Sequence, residues 1–369
     1  EKGENVGRFS FIGLGKRVVF EMMGQQLNIT QYHGGKAIST DTSVSPNPLK
    51  KIREYFKGFS VPTYKNLPSF FGGAIGFLGY EAVQYFEDIP VKEESQNNVI
   101  PDGLLVIPEI LLVYDSVKRS VFIITPTVPG SNPEERYGEA VEKIEEICSL
   151  LSKPLTLKKR KISEAQDRLS IKGRMEKSNF LDSVTTCKEY IKNGEIIQVV
   201  FSQKFDIHAG VDPFELYRTL RILNPSPYLY FLDFDDFCII GSSPEVMVRV
   251  HEKEILLKPI AGTRERGSSI EEDFAISEEL LADPKERAEH LMLVDLGRND
   301  LGRIAVPGSV RVTDFMKVEK YSHVMHIVST IKAELDQNYD VFDVIRACFP
   351  AGTLTGAPKI RAMEIIEEL

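Results

Sequence analysis

Residues Glu254-Ile255-Leu256-Leu257-Lys258-Pro259-Ile260, running into Ala261-Gly262-Thr263-Arg264, set the reading of the fold. The apolar run pairs with residues 246–250 as a hairpin. The small residues behind it mark a place where the backbone is tight or closely approached. A helix is expected over 273–296, another over 342–348, and a third from near Pro358. Antiparallel hairpins mixed with helices, without regular strand–helix–strand alternation, indicate an α+β fold.

Upstream, a helix capped by Ser178 and ended by Gly194 opens the second half of the chain. Residues 199–205 read as a strand. Asp212-Pro213 starts a helix, with Asp as N-cap and Pro at the first helical position. That helix stops at Asn224-Pro225-Ser226-Pro227, and 228–234 alternates like a strand.

The first half is richer in strands, with 109–114 and 120–125 forming a hairpin. The glycines in 71–80 suit a strand that another backbone approaches; no acidic residue follows at the interval a dinucleotide loop needs. Tyr137, Ala140, Val141, Ile144, Ile147, Cys148 and Leu151 make one apolar stripe on a helix over 133–151. Residues 153–173, with Lys158, Lys159, Arg160 and Lys161, read as an exposed linker. The domain boundary is placed there, giving domains 1–160 and 161–369.

A net charge of -9 gives no footprint for nucleic acid or an anionic membrane. An anionic substrate must therefore be held by local cations, backbone N–H groups or a metal. No apolar run approaches the roughly 20 residues needed to span a bilayer. The four cysteines are too scattered for a zinc site and too few for a disulfide scaffold. They fit small buried residues or free thiols in a reducing cytoplasm.

Glu286 and Glu289 lie three residues apart in a helical stretch, so their carboxylates share a face. A solvated acidic face is the ordinary reading of such a pair. Here Glu289 leads into Leu291-Met292-Leu293-Val294, expected to be buried, and a carboxylate at that edge needs a partner. Mg2+ fits, since it takes oxygen ligands and is completed by substrate and water. His323 and His326 would share a face if their segment were helical. No HExxH pattern is present, so an acid/base role for one and packing for the other is the expected split.

In Asp295-Leu296-Gly297-Arg298-Asn299-Asp300-Leu301-Gly302-Arg303, either Arg298 or Arg303 binds a substrate carboxylate, or the charges hold a helix end together. The second reading is favoured, because Arg forks suit such networks. The small-residue loop Ala351-Gly352-Thr353-Leu354-Thr355-Gly356-Ala357-Pro358-Lys359 opens a helix and suits a carboxylate-bearing ligand. It lacks the Gly-Lys-[Ser/Thr] of a nucleotide loop. Taken by themselves these residues describe a Mg2+-assisted enzyme acting on a small, carboxylated molecule.

The same motifs, in this order and spacing, resemble the chorismate-utilising enzymes, and among them the large subunits of anthranilate synthase. The similarity runs from about Ser178 to the C-terminus. Gly72-Gly73-x-x-Gly76-x-x-x-Tyr80-Glu81 resembles the N-terminal domain of those subunits. The resemblance implies two orthogonally packed antiparallel β-sheets with helices outside. It makes Glu289 a Mg2+ ligand, with Glu286 near the metal, which holds the ring carboxylate of chorismate. Glu245 becomes the general acid for the departing ring hydroxyl, and His326 assists loss of pyruvate. Thr263 and Thr353 hydrogen-bond the substrate, with Ala261, Gly262 and Gln198 beside it.

Two positions discriminate among relatives. Those that add water carry a Lys base where this chain has Gln198. The 4-amino-4-deoxychorismate synthases commonly carry a nucleophilic Lys where it has Ala261. Both positions point to ammonia attack and anthranilate; 4-amino-4-deoxychorismate synthase and a non-catalytic tryptophan-binding subunit are the rivals. The resemblance makes Pro227, Tyr228 and Leu229 part of a tryptophan feedback site, with Leu229 where Met is usual. It also implies a separate glutamine amidotransferase subunit as the ammonia source. The family's Leu-Leu-Glu-Ser segment is expected before Glu1. Its Gly-Pro-Tyr segment, second Mg2+-ligand Glu and pyruvyl-binding Arg are expected beyond Leu369. Both ends therefore read as truncated.

Overall fold

A computed structural model of the chain describes residues 7–59, 61, 64, 66–89, 100–127, 132–155, 170–208 and 210–369. Its contacts divide into two compact units, 1–82 with 98–168, and 83–97 with 169–369.

The first unit holds strands β1 (Phe9–Leu14), β2 (Val18–Met23), β3 (Gln26–His33), β4 (Lys36–Val44), β5 (Ile75–Leu78), β6 (Gly103–Ile107), β7 (Ile110–Asp115) and β8 (Ser120–Ile124). Helices α1 (Pro48–Lys57) and α2 (Pro133–Leu151) accompany them. One antiparallel sheet runs β4-β3-β2-β6-β5 and a second runs β1-β7-β8. Val18, Phe20 and Met22 alternate into the core, as the two-residue period of a half-buried strand requires.

The expected hairpin is β7–β8. The glycine-rich strand is β5, where a Cβ on Gly76 would come within 1.8 Å of the Leu104 carbonyl oxygen. Helix α2 has the expected bounds, but its stripe is only partly covered: Ala140 and Ile147 are buried, while Tyr137, Cys148 and Leu151 are exposed.

The second unit begins with β9 (Ser170–Gly173), α3 (Lys177–Lys192), β10 (Gln198–Val199), β11 (Phe205–His208) and α4 (Pro213–Leu223). There follow β12 (Tyr228–Asp233), β13 (Cys238–Ser243), β14 (Arg249–His251), β15 (Glu254–Leu257) and β16 (Ile260–Glu265). Helices α5 (Ile270–Ala282) and α6 (Pro284–Gly302) precede β17 (Arg311–Lys320) and β18 (Val324–Glu334). The chain then runs through α7 (Val341–Cys348), β19 (Gly356–Ala357) and α8 (Lys359–Glu368).

Strand β18 organises this unit. It pairs with β17 along one edge and with β15 and β16 in succession along the other, all antiparallel. Met325, Ile327, Ser329 and Ile331 are all at 0% exposure, which identifies the face of β18 that packs on helices. Leu280 of α5 joins Met325 and Ile327, while Val294 and Leu301 of α6 join Ile331. By strand alternation His326 belongs to the other face.

Several expectations need correction. The helix over 273–296 is two helices, because Asp283 caps a new one through the Lys285 and Glu286 N–H groups, with Pro284 at its first position. Ser178 lies inside the first turn of α3, whose N-cap is Glu176. Of the strand expected over 199–205 only the two ends are in ladders: Val199 closes β10 and Phe205 opens β11. The segment holding His323 and His326 is not helical, since β18 starts at Val324. The expected linker lies mostly outside the described residues, at 156–169, and its end forms β9, paired with β11. Among the described residues no helix is long and apolar enough to cross a membrane.

Candidate active site

Strand β16 is an edge strand of only six residues, and most of the expected site is arranged along it. Its register against β18 shifts between Ala261 and Thr263, leaving Gly262 in a bulge with φ +67°. Glycine reaches that conformation without the penalty a Cβ imposes. Ala261 is buried, and the Gly262 carbonyl accepts from His326 Nδ1 at 3.0 Å. A carbonyl can only accept, so Nδ1 carries the hydrogen and Nε2 is left with the lone pair. Thr263 Oγ1 lies 3.1 Å from the same Nδ1. With that nitrogen donating, the Thr263 hydroxyl hydrogen remains available to a ligand. The Tyr321 ring stands edge-on to His326, with centroids 5.5 Å apart.

Glu245 follows the end of β13 and is held by a serine turn: Ser243 Oγ accepts from the Glu245 N–H and donates to its carbonyl. Its carboxyl accepts from the Ile260 N–H at the start of β16 and from Thr353 Oγ1 at 3.3 Å. Burial nonetheless dominates and pushes the Glu245 carboxyl up to about 7, so it holds a proton near neutrality. Glu245 and Thr353 line one cavity with Lys258, Asp300, Cys348 and Gly352. A Cβ on Gly352 would come within 2.0 Å of Leu296 Cδ2, so the loop carrying Thr353 lies tight on α6.

Glu286 and Glu289 do share a face of α6, both half-buried. The run after them is less buried than expected: Leu293 and Val294 are covered, but Leu291 is exposed. Glu289 Oε1 accepts from Gln198 Nε2 at 3.1 Å. Glu286 Oε1 accepts from Arg264 Nη1 at 3.4 Å, and Arg264 also reaches Glu279 and Asp283. Glu286 Oε2 would lie 3.3 Å from a Cβ on Gly262, which brings this carboxylate against the bulge. Among the described residues no group of three His, Cys, Asp or Glu side chains is placed to hold a metal ion. Two carboxylates on one helix face, to be completed by ligand oxygens and water, remain a donor set that suits Mg2+.

The expected residues thus fall into connected sets: Glu245 with Thr353, His326 with Gly262 and Thr263, Gln198 with Glu289, and Glu286 at Gly262. His326, Glu286, Glu289 and Gln198 do not line the cavity that holds Glu245. Pro227, Tyr228 and Leu229 stand at the start of β12, where Tyr228 and Leu229 pair with Ser243 and Ser242. Tyr228 and Glu245 both help to raise the Tyr321 phenol above its usual range, after the larger effect of burial and that of Glu319.

Arg298 pairs with Asp295, and Arg303 lies 3.6 Å from Glu87, in keeping with an ion-pair network near the end of α6. Sequence reasoning gave no role to Arg264, Lys359 or the buried His290. Arg264 adjoins the Ala-Gly-Thr signature, which is the one local signal that could have singled it out.

A family model described as chorismate binding enzyme matches residues 15–369. The chain is 44% identical over 370 residues to anthranilate synthase component 1 of Aquifex aeolicus (strain VF5), covering 100% of this chain and 74% of that protein. It is 43% identical over 379 residues to anthranilate synthase component 1 of Acinetobacter calcoaceticus, with the same coverage. The crystal structure of anthranilate synthase component I from Streptococcus pneumoniae TIGR4 matches with a TM-score of 0.78 at 34% identity, covering 100% of this chain and 80% of that one. The mixed, antiparallel α and β architecture is therefore shared with a solved member. The chain belongs to the chorismate-binding enzymes, within the family of anthranilate synthase component 1.

Proposed function

We propose that this site converts chorismate and ammonia to anthranilate, pyruvate and water with Mg2+, as the synthase subunit of tryptophan biosynthesis. Kinship at 40–44% identity over the whole chain supports chorismate as substrate and anthranilate as product. The observation that carries the chemistry is Glu245, a half-buried carboxyl that burial pushes up to about 7 and that Thr353 aligns by a hydrogen bond.

Glu245 gives its proton to the departing ring hydroxyl, which leaves as water while ammonia adds to the ring. His326, protonated on Nδ1 by its bond to Gly262, offers Nε2 to take the ring proton as pyruvate leaves. Thr263 and Thr353 orient the substrate through their hydroxyls. Ala261 presents no amine, so ammonia and not a side chain is the nucleophile. Glu289 and Glu286 would hold Mg2+, which when bound supplies charge for the substrate's ring carboxylate.

The relatives' designation as component 1 supports a second component. We assign it the role of glutamine amidotransferase and ammonia source. Tryptophan is assigned to the segment Pro227-Tyr228-Leu229 as feedback inhibitor. The test incubates the intact protein with chorismate, Mg2+ and an ammonium salt and follows anthranilate fluorescence. Signal abolished by EDTA and by Glu289→Ala supports the reading. Chorismate consumed without fluorescence points to 4-amino-4-deoxychorismate, and no turnover rejects the reading.

A further inference from the structure

Lys359 opens α8 directly after the loop that carries Thr353, and its ammonium reaches back to two other elements. Nζ lies 2.7 Å from Asp300 Oδ2 on α6 and donates to the Cys348 carbonyl, at the end of α7, at 3.4 Å. Both charged side chains are almost wholly covered, at 11% and 8% exposure. One ammonium therefore ties the start of loop 349–358, the end of that loop and the last turn of α6 together.

Asp300 also lines the cavity that holds Glu245 and Thr353. The other charged or titratable groups facing it are few. Arg303, the C-cap of α6, contributes positive potential and lies 3.6 Å from Glu87. The Cys348 thiol is pushed up to about 12 by burial and stays neutral. Lys258 lines the same cavity but pairs with Glu319 at 2.7 Å.

We propose that Lys359 is a positioning residue: by pairing with Asp300 and the Cys348 carbonyl it clasps the Thr353 loop to α6 and so holds the Thr353 hydroxyl on Glu245. The proposal rests on the assignment of Glu245 as acid. Burial pushes the Asp300 carboxyl above its ordinary range and the Lys359 ammonium draws it back, so without Lys359 it would compete with Glu245 for a proton inside the same cavity. It would also leave a buried charge without a partner, which is more damaging than removing both partners together.

The test compares Lys359→Met, Asp300→Asn, the double variant and Lys359→Arg in the intact protein. Two readouts are taken: steady-state kinetics with chorismate and ammonium, and hydrogen exchange of residues 349–358. Lys359→Met is expected to lower kcat by about tenfold or more and to speed loop exchange, while KM for chorismate changes little. Adding Asp300→Asn should recover most of the loss, because the offending charge is gone. Lys359→Arg should retain the clasp.

A double variant no better than the single, with the loss in KM, would overturn the proposal and make Lys359 a substrate contact. Unchanged loop exchange in Lys359→Met would overturn it as well. If Lys359→Met does not fold, the double variant decides by the same KM criterion against the unmodified protein. Exchange does not depend on the reaction. An unmodified protein inert toward chorismate would therefore sink the functional reading and leave the exchange comparison to judge the clasp.

Discussion

Gln198 Nε2 donates to Glu289 Oε1 across 3.1 Å, so an uncharged amide faces the carboxylate assigned to Mg2+. The contact joins β10, a strand of two residues, to the middle of α6. An amide orients the carboxylate without neutralising it. An ammonium there would pair with it and compete with a cation.

Gln198→Lys is therefore expected to raise the Mg2+ concentration for half-maximal activity by about tenfold or more, the range seen when partners of metal ligands are altered. A Mg2+ titration of the variant checks this. An unchanged half-saturation point would remove Glu289 from the metal site.

Glu245 sets the second expectation. Its proton is held up to about pH 7 in the folded protein, against 4.5 for an ordinary glutamate. The rate per unit of free ammonia should fall as pH rises through about 7, because the acid is then lost. Thr353 donates to the ionised form and so pulls in the opposite direction from burial. Thr353→Val should move the alkaline limb upward even as it slows the reaction. Glu245→Gln should lower kcat by roughly 100-fold to 10,000-fold.

The same shift links to stability. A group whose folded pKa is raised stabilises most below its unfolded value, and that contribution declines as pH rises toward about 7. Denaturant titrations between pH 4.5 and 7 should show the parent's stability relative to Glu245→Gln falling as pH rises.

Local chemistry made much of the fold legible. Asp212-Pro213 announces α4, and the predicted bounds of α2 match. The same Asp-Pro signal at Asp283-Pro284 sits inside a run that reads as one continuous helix on either side, and so the break between α5 and α6 shows only in the structure. The ladder at Gln198 and Val199 depends on Ala357 and Gly356, more than 150 residues away, and no local pattern can report it.

The site divides the same way. Helical spacing alone puts Glu286 and Glu289 on one face. The contacts of Glu245 with Thr353 and of Lys359 with Asp300 span 108 and 59 residues and exist only in the packed structure. Roles for Glu245 and His326 came from family resemblance, because neither residue stands in a pattern whose spacing implies its chemistry.

Gly262 offers a sharper test of the β16 bulge. Its φ of +67° lies in the left-handed region, and a Cβ would stand 3.1 Å from Leu280 Cδ1 and 3.3 Å from Glu286 Oε2. Gly262→Ala should cost about 1–2 kcal/mol from backbone conformation alone. It should also weaken activity, by displacing Glu286 or by turning the carbonyl away from His326. Denaturant unfolding with steady-state kinetics checks both effects. A variant as stable and as active as the parent would show that the bulge is not needed.

His290 and Ser329 provide the last test, away from the reacting groups. Both are at 0% exposure, with His290 Nε2 2.6 Å from Ser329 Oγ. Ser329 Oγ accepts from the Met316 N–H at 3.0 Å and so can give its own hydrogen to His290. Met316 has φ +51° in an irregular stretch of β17, so this hydroxyl ties a strained backbone to α6 and β18. Ser329→Ala would leave two buried groups without that partner and should cost about 1–3 kcal/mol.

Burial holds the His290 imidazole down to about 4, against 6.5 for an ordinary histidine. The unfolded chain therefore binds the extra proton first as pH falls. The His290 contribution to stability should be full above 6.5 and decline steadily toward pH 4. His290→Leu should be less stable at neutral pH yet lose the His290 part of that decline. An undiminished slope in the variant would show that His290 is not the group being titrated.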